Sequence, residues 1–154
     1  MTSHTRLAAF VLITTMLFSL TGCGGYVLRG KVVEGMTTGA YLTTSDSNRL
    51  DDVGVGDVRI VVWRDPDRLN RTRVAEGRSG PDGTFAIPIR EFGVGWMEEQ
   101  WMIEVHRVGY QTGRSTLTLP TSPSRNPLII TVAPGTTTPL DPVNPLMDDY
   151  ERYR

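Results

Sequence analysis

Apolar and polar residues alternate with a period of two along several short stretches of the chain, which is the pattern of half-buried β-strands. Residues 72–78 form one such predicted strand. Six others place the following residues on one face: Leu28, Gly30 and Val32; Val58, Ile60 and Val62; Phe85, Ile87 and Ile89; Trp101, Ile103 and Val105; Leu117 and Leu119; Leu128, Ile130 and Val132. About seven short strands, separated by glycine and proline and without a convincing amphipathic helix, predict an all-β sandwich of two sheets.

Residues 79–83, which read Ser-Gly-Pro-Asp-Gly, predict a tight turn between two of these strands. The proline presets its own φ angle, and the Asp-Gly pair supplies a corner with positive φ. The strand after the turn contains Pro88, which has no N–H to donate to a neighbouring strand. That strand is therefore predicted to lie at a sheet edge or to end there.

Two segments do not follow the alternation. Residues 34–55 are polar and rich in Gly, Thr, Ser and Asp, which predicts a long loop that is either functional or mobile. Residues 92–100 could form a helical turn, but Gly93 and Gly95 argue against a long helix.

The beginning of the chain has the organisation of an export signal. A short polar start with Arg6 precedes a mostly apolar run over residues 7–20. That run is shorter than the roughly 20 apolar residues that span a bilayer. The pattern predicts a cleaved signal peptide rather than a transmembrane helix.

The run ends in Leu20-Thr21-Gly22-Cys23, which resembles the bacterial lipobox. The resemblance implies cleavage before Cys23, a diacylglyceryl thioether on its sulfur and acylation of the new amino terminus. Two or three acyl chains anchor a protein stably, whereas one binds only marginally. Cys23 is the sole cysteine, so it has no disulfide partner within the chain. The alternatives are a secretory signal with an accidental cysteine and an uncleaved membrane anchor.

These features divide the chain into a signal peptide over residues 1–22, a lipidated terminus and short tether over 23–25, a sandwich over 26–133 and a disordered Pro/Thr-rich tail over 134–154. The net charge of −1 gives no indication of a nucleic-acid partner. In the enterobacterial pattern, an Asp directly after the lipidated Cys retains a lipoprotein at the inner membrane. Gly24 occupies that position, which favours the outer membrane.

The sandwich also resembles a known module, the carboxypeptidase regulatory-like domain, which has a transthyretin-like β-sandwich fold. Its members show a hydrophobic-x-Gly-x-Val opening, an Asp-Gly-x-Phe hairpin and a Gly-Tyr near the end. The long segment over residues 34–55 departs from that pattern. The matching runs are Leu28-Arg29-Gly30-Lys31-Val32, Val58-Arg59-Ile60-Val61-Val62, Gly80-Pro81-Asp82-Gly83-Thr84-Phe85-Ala86-Ile87 and Val105-His106-Arg107-Val108-Gly109-Tyr110.

No catalytic residue is predicted. His106 is the one histidine after the signal and shares an outward face with Glu104, but no nucleophile motif accompanies it. A solvated strand histidine is the preferred interpretation. The 5-hydroxyisourate hydrolases share the transthyretin-like fold, but they need several histidines and a Tyr-Arg-Gly-Ser terminus that this chain lacks. The sequence therefore predicts a protein that is not an enzyme.

No metal or cofactor is predicted either. Asp46, Asp51, Asp52 and Asp57 could offer oxygen ligands to calcium, but Leu50 occupies the third ligand position and the central glycine of the calcium loop is missing. A solvated loop is the preferred interpretation. Zinc ligands are absent at useful spacing.

The three tryptophans could form a platform that stacks against sugars. Core packing accounts for Trp101 and for Trp63. Trp96 lies between glycines and the pair Glu98 and Glu99, and is the one predicted to be exposed. Trp96, Glu98 and Glu99 are therefore the candidate ligand-binding residues.

Two functional hypotheses follow, and a third, an enzyme that depends on His106, ranks below both. The first is an envelope lipoprotein held to the membrane by its lipid, whose non-catalytic sandwich acts as a structural, adhesion or accessory module toward an envelope protein or polysaccharide. The second is a lipoprotein that binds carbohydrate or another ligand through the Trp96 region or the 34–55 segment.

Overall fold

A computed structural model of the chain describes residues 25–67 and 71–136. The signal peptide, Cys23 and most of the predicted tail lie outside the described residues. No helix in the described part is long and apolar enough to cross a membrane. A single 3₁₀ turn occupies Asn48–Leu50, and the strands are β1 (Tyr26–Glu34), β2 (Gly39–Leu42), β3 (Arg59–Arg64), β4 (Thr72–Arg78), β5 (Thr84–Ile89), β6 (Gln100–His106), β7 (Gly113–Thr118) and β8 (Leu128–Val132).

The strands form two four-stranded sheets that pack face to face. The first has the order β2-β8-β1-β5 and the second the order β4-β3-β6-β7. All pairings are antiparallel except that of β1 with β8, which is parallel. The predicted all-β sandwich is confirmed, and the described residues contain eight strands rather than about seven.

The hydrophobic core lies between the sheets and is built from the alternating faces that the sequence pattern indicates. Leu28 and Val32 of β1 and Ile60 and Val62 of β3 are fully buried, and so is Trp101 of β6. Each buried aliphatic side chain stabilises the fold by about 1.5–3 kcal/mol relative to its exposed state. The core therefore links strands that are distant in sequence.

Gly30 allows β1 to pack closely between its two neighbours in the first sheet, β8 and the edge strand β5. It pairs with Phe85 of β5 on one side and with Leu128 of β8 on the other. A Cβ atom at Gly30 would collide with the Leu128 carbonyl oxygen and would lie 2.7 Å from Cζ of Phe85. The Phe85 ring thus occupies the space that a side chain at Gly30 would need.

The prediction of a long loop over residues 34–55 was wrong. β1 extends to Glu34, and β2 adds an edge strand that pairs with β8. Tyr41 and Leu42 of β2 are partly exposed, so this strand has no alternating apolar face to reveal it. The Lys31 Nζ donates a hydrogen bond of 2.7 Å to the Leu50 carbonyl, which holds the 3₁₀ turn against the outer face of the first sheet.

The predicted turn at residues 79–83 is confirmed. Gly83 has φ of 79° and donates its N–H to the Gly80 carbonyl at 2.9 Å. The Asp82 Oδ1 accepts hydrogen bonds from the N–H and the hydroxyl of Thr84, and the hydroxyl bond contributes most to the lowered pKa of Asp82. β5 lies at the edge of its sheet, as Pro88 indicated.

Ser79, which directly follows β4, holds the segment that leads into β3. Its buried hydroxyl donates to the Val55 carbonyl at 2.8 Å and accepts from the Val58 N–H at 3.0 Å. Ser79→Ala should therefore lower the free energy of unfolding by about 2 kcal/mol, because it leaves buried backbone groups without a partner. Urea denaturation measures the change. The exposed Ser124→Ala is the control and should shift stability by less than about 0.5 kcal/mol; equal effects of the two substitutions would contradict this role.

Candidate functional site

The loop between β5 and β6, residues 90–99, lies at the end of the sandwich where β1 begins; we call it the Trp96 loop. Gly93 and Gly95 have φ of 87° and 80°, which glycine adopts without strain. The Met97 N–H donates to the Gly93 carbonyl at 2.9 Å and closes one helical turn. The turn goes no further, as the glycines indicated.

The base of the Trp96 loop is anchored to the domain. Val94 is buried in the hydrophobic core. Gly95 packs so closely on Tyr26 that a Cβ atom would lie 2.5 Å from Cε2 of that ring. The Tyr26 hydroxyl donates to the Pro120 carbonyl at 3.0 Å, and burial raises its pKa, so it stays protonated as a donor. The loop therefore presents its outer residues from a fixed base.

Those outer residues are an exposed pair of aromatic side chains, Phe92 and Trp96, here called the aromatic pair. Phe92 is 76% exposed and Trp96 is 65% exposed. Their rings meet edge to face, with centroids 5.3 Å apart and planes at 85°. The predicted exposure of Trp96 is confirmed. Sequence reasoning missed Phe92, because nothing in the one-dimensional pattern shows that the turn brings the two rings together.

A shallow groove runs beside the aromatic pair. Phe92 and Trp96 line it together with Gly25 at the start of the described chain. Its charged lining residues are Arg29 and Glu91, one of each sign. The groove thus borders the aromatic pair and has no dominant charge.

The two predicted acidic site residues lie apart from this groove. Glu98 is exposed, and neither Glu98 nor Glu99 lines the groove. The Glu99 carboxylate accepts from the Arg64 guanidinium at 2.8 Å, and Arg64 also binds Glu91 at 3.3 Å. Glu99 is the main cause of the raised pKa of Arg64. This ion-pair network ties both ends of the Trp96 loop to the end of β3.

The other two tryptophans are in different environments. Trp101 is fully buried in the core, as predicted, and the Arg64 guanidinium lies 5.7 Å from its ring centroid. The prediction of core packing for Trp63 was wrong. Trp63 is half-buried on the outer face of β3, where the Arg71 guanidinium lies 5.2 Å from its ring centroid. The three indoles therefore do not form one platform.

His106 and Glu104 point to the outer face of the second sheet, as the alternation indicates. Glu104 is nevertheless buried and forms an ion pair of 3.5 Å with Arg114. His106 is half-buried and pairs across the strands with Arg59, whose guanidinium binds Glu76 through two bonds of 2.7 and 3.0 Å. Side chains of opposite charge cover this face.

The aspartates of the candidate calcium loop are spread over the surface. Asp52 binds Arg49 at 2.8 Å and Asp57 binds Arg78 at 2.7 Å. Within residues 25–67 and 71–136, no group of three or more His, Cys, Asp or Glu side chains is arranged to hold a metal ion.

Comparison with known proteins identifies no family for the chain. No family model matches it, and no curated protein does. Among solved structures, a 9R-lipoxygenase from Cyanothece PCC8801 is similar at 17% sequence identity with a TM-score of 0.35. The likeness covers 77% of this chain and 18% of the lipoxygenase chain. A similarity of that degree carries no argument about function.

Proposed function

We propose that the protein is an envelope lipoprotein, anchored by acyl chains on Cys23 and most compatible with the outer membrane. The observation that carries the proposal is the lipobox-like run Leu20-Thr21-Gly22-Cys23 at the end of the apolar segment. β1 begins at Tyr26, three residues after Cys23. Three extended residues span at most about 11 Å. The sandwich is accordingly a membrane-proximal domain with no long stalk.

The sandwich itself acts as a non-catalytic structural, adhesion or accessory module in this proposal. The buried carboxylate Glu104 is neutralised by Arg114, and the half-buried Glu99 by Arg64. Such pairing favours a role in holding strands and loops together. The contact of Gly30 with Phe85 and the Asp82-Gly83 turn are consistent with a carboxypeptidase regulatory-like module.

The test of the proposed anchor is the intact mass of the protein purified from membranes. We expect a chain that begins at Cys23 and carries the added mass of a diacylglyceryl group and an amide-linked acyl chain. Growth with labelled palmitate should label the same amino-terminal peptide. A chain that retains residues 1–22, or an unmodified Cys23, contradicts the proposal.

A second candidate function is the binding of carbohydrate, which the exposed aromatic pair favours, because an aromatic face stacks on the apolar face of a sugar. Envelope polysaccharide should then shift the tryptophan emission of the wild type but not that of Trp96→Ala. The substitution Met36→Ala changes a residue that is 99% exposed beyond the other end of β1, and serves as the control. A glycan response that survives Trp96→Ala rules out this surface.

A further inference from the structure

We propose that the aromatic pair inserts into the headgroup region of the membrane that holds the Cys23 lipid, and so sets the orientation of the sandwich on that membrane. The inference rests on the proposed lipidation of Cys23. It adds a second membrane contact, made by the folded domain itself.

The first argument is the reach of the tether. Gly25 lines the same groove as Phe92 and Trp96. Two residue steps separate Gly25 from Cys23, and they span at most about 7 Å. A lipid on Cys23 would therefore be tethered within that reach of Gly25. A bilayer that holds the lipid must come near the aromatic pair. The other end of β1, at Glu34, lies about 26 Å from Tyr26 along the strand.

The second argument is the chemistry of the exposed side chains. Tryptophan is enriched at the membrane interface because an apolar ring and a polar N–H suit the headgroup level. Phe92 offers an apolar ring beside it, and Met97 is a further partly exposed apolar side chain of the same loop. The groove has one charged lining residue of each sign, Arg29 and Glu91. The proposed contact therefore rests on the apolar rings and not on attraction to anionic lipid.

The third argument is preorganisation. Val94 is held in the core and Gly95 against the Tyr26 ring, while the Arg64 network fixes the two ends of the loop. The aromatic pair is thus presented before it meets the bilayer, and its insertion costs little conformational entropy. This favours a defined orientation over a domain that swings freely on its lipid.

The test measures the contact of Trp96 with the bilayer in the full lipidated protein. The protein is purified from membranes and reconstituted into zwitterionic phosphatidylcholine vesicles whose acyl chains carry bromine, which quenches nearby tryptophan. The wild type contains three tryptophans, of which Trp101 is fully buried and Trp63 is half-buried. We expect brominated lipid to quench the wild type and the variant Trp96→Phe to lose most of that quenching.

The control moves the exposed indole to the opposite end of the sandwich. Val108 is 83% exposed, and it lies beside Tyr110, whose hydroxyl is 3.3 Å from the Glu34 carboxylate at the end of β1. The double variant Trp96→Phe/Val108→Trp should be quenched no more than Trp96→Phe alone. Quenching of the indole at position 108 to the extent seen for Trp96 would overturn the proposed orientation.

Two further results separate the possible failures. If the intact mass shows acyl chains on Cys23 but wild type and Trp96→Phe are quenched equally, this inference is overturned while the lipoprotein proposal stands. This inference is also overturned, and the lipoprotein proposal is not, if a soluble glycan shifts the Trp96 emission but brominated lipid does not quench it. If Cys23 is unmodified, the lipoprotein proposal fails, and this inference fails with it.

Discussion

Replacing Gly30 with alanine should lower the free energy of unfolding by about 3 kcal/mol, at the upper end of the usual cost of overpacking a core. The added methyl group would collide with the Leu128 carbonyl oxygen and press on the Phe85 ring. A flexible side chain could move aside, but the carbonyl belongs to the strand that pairs with β1. The substitution must therefore spread β1 from β8 or displace Phe85 from the core.

The matched control is Gly39→Ala, which also places a methyl group at a strand glycine. The nearest atom to a Cβ at Gly39 is the Ser115 Oγ at 3.6 Å, an ordinary van der Waals distance. Alanine there should be neutral or slightly stabilising, because it reduces the entropy of the unfolded chain. Urea denaturation of the two variants measures the difference. Equal midpoints would show that the first sheet accommodates a side chain at Gly30 and would contradict the packing argument.

Much of the fold could be predicted because its core strands follow the alternation of apolar residues. The predicted strand over residues 72–78 coincides with β4, and the predicted face of Phe85, Ile87 and Ile89 lies on β5. β2 could not be found in this way, since an edge strand without a buried apolar face leaves no alternating signal. The environment of Trp63 was misjudged although the signal was available. With Ile60 and Val62 facing the core, the residue after Val62 must face outward.

The candidate site was less predictable, because it depends on contacts between distant parts of the chain. The exposure of Trp96 followed from its polar and glycine-rich surroundings. Glu99 was grouped with Trp96 because the two are close in sequence, but its carboxylate forms an ion pair with Arg64, a residue of β3. Phe92 belongs to the site only because the turn places its ring against Trp96. Neither contact leaves a periodic signal in the sequence.

The proposed lipid and the aromatic pair differ greatly in the free energy that each can supply at a membrane. Burying two large side chains stabilises an attachment by about 6 kcal/mol at most. Acyl chains contribute about 0.8 kcal/mol for each buried methylene; one chain binds only marginally, but the two or three chains proposed for Cys23 together form a stable anchor. In the proposed arrangement, the lipid therefore decides whether the protein stays on the membrane, and the aromatic pair decides how it is oriented.

Cys23→Ser should consequently remove the protein from the outer-membrane fraction and abolish its labelling with palmitate, while Trp96→Phe should leave both unchanged. The serine hydroxyl cannot form the thioether, and the aromatic pair alone is too weak to retain the domain. Gly24→Asp is the control at the neighbouring position. It keeps the cysteine and should still be labelled, but the sorting pattern predicts that it moves to the inner membrane. A Cys23→Ser protein that still fractionates with the outer membrane would mean that the folded domain or a bound partner, and not a lipid, holds the protein there.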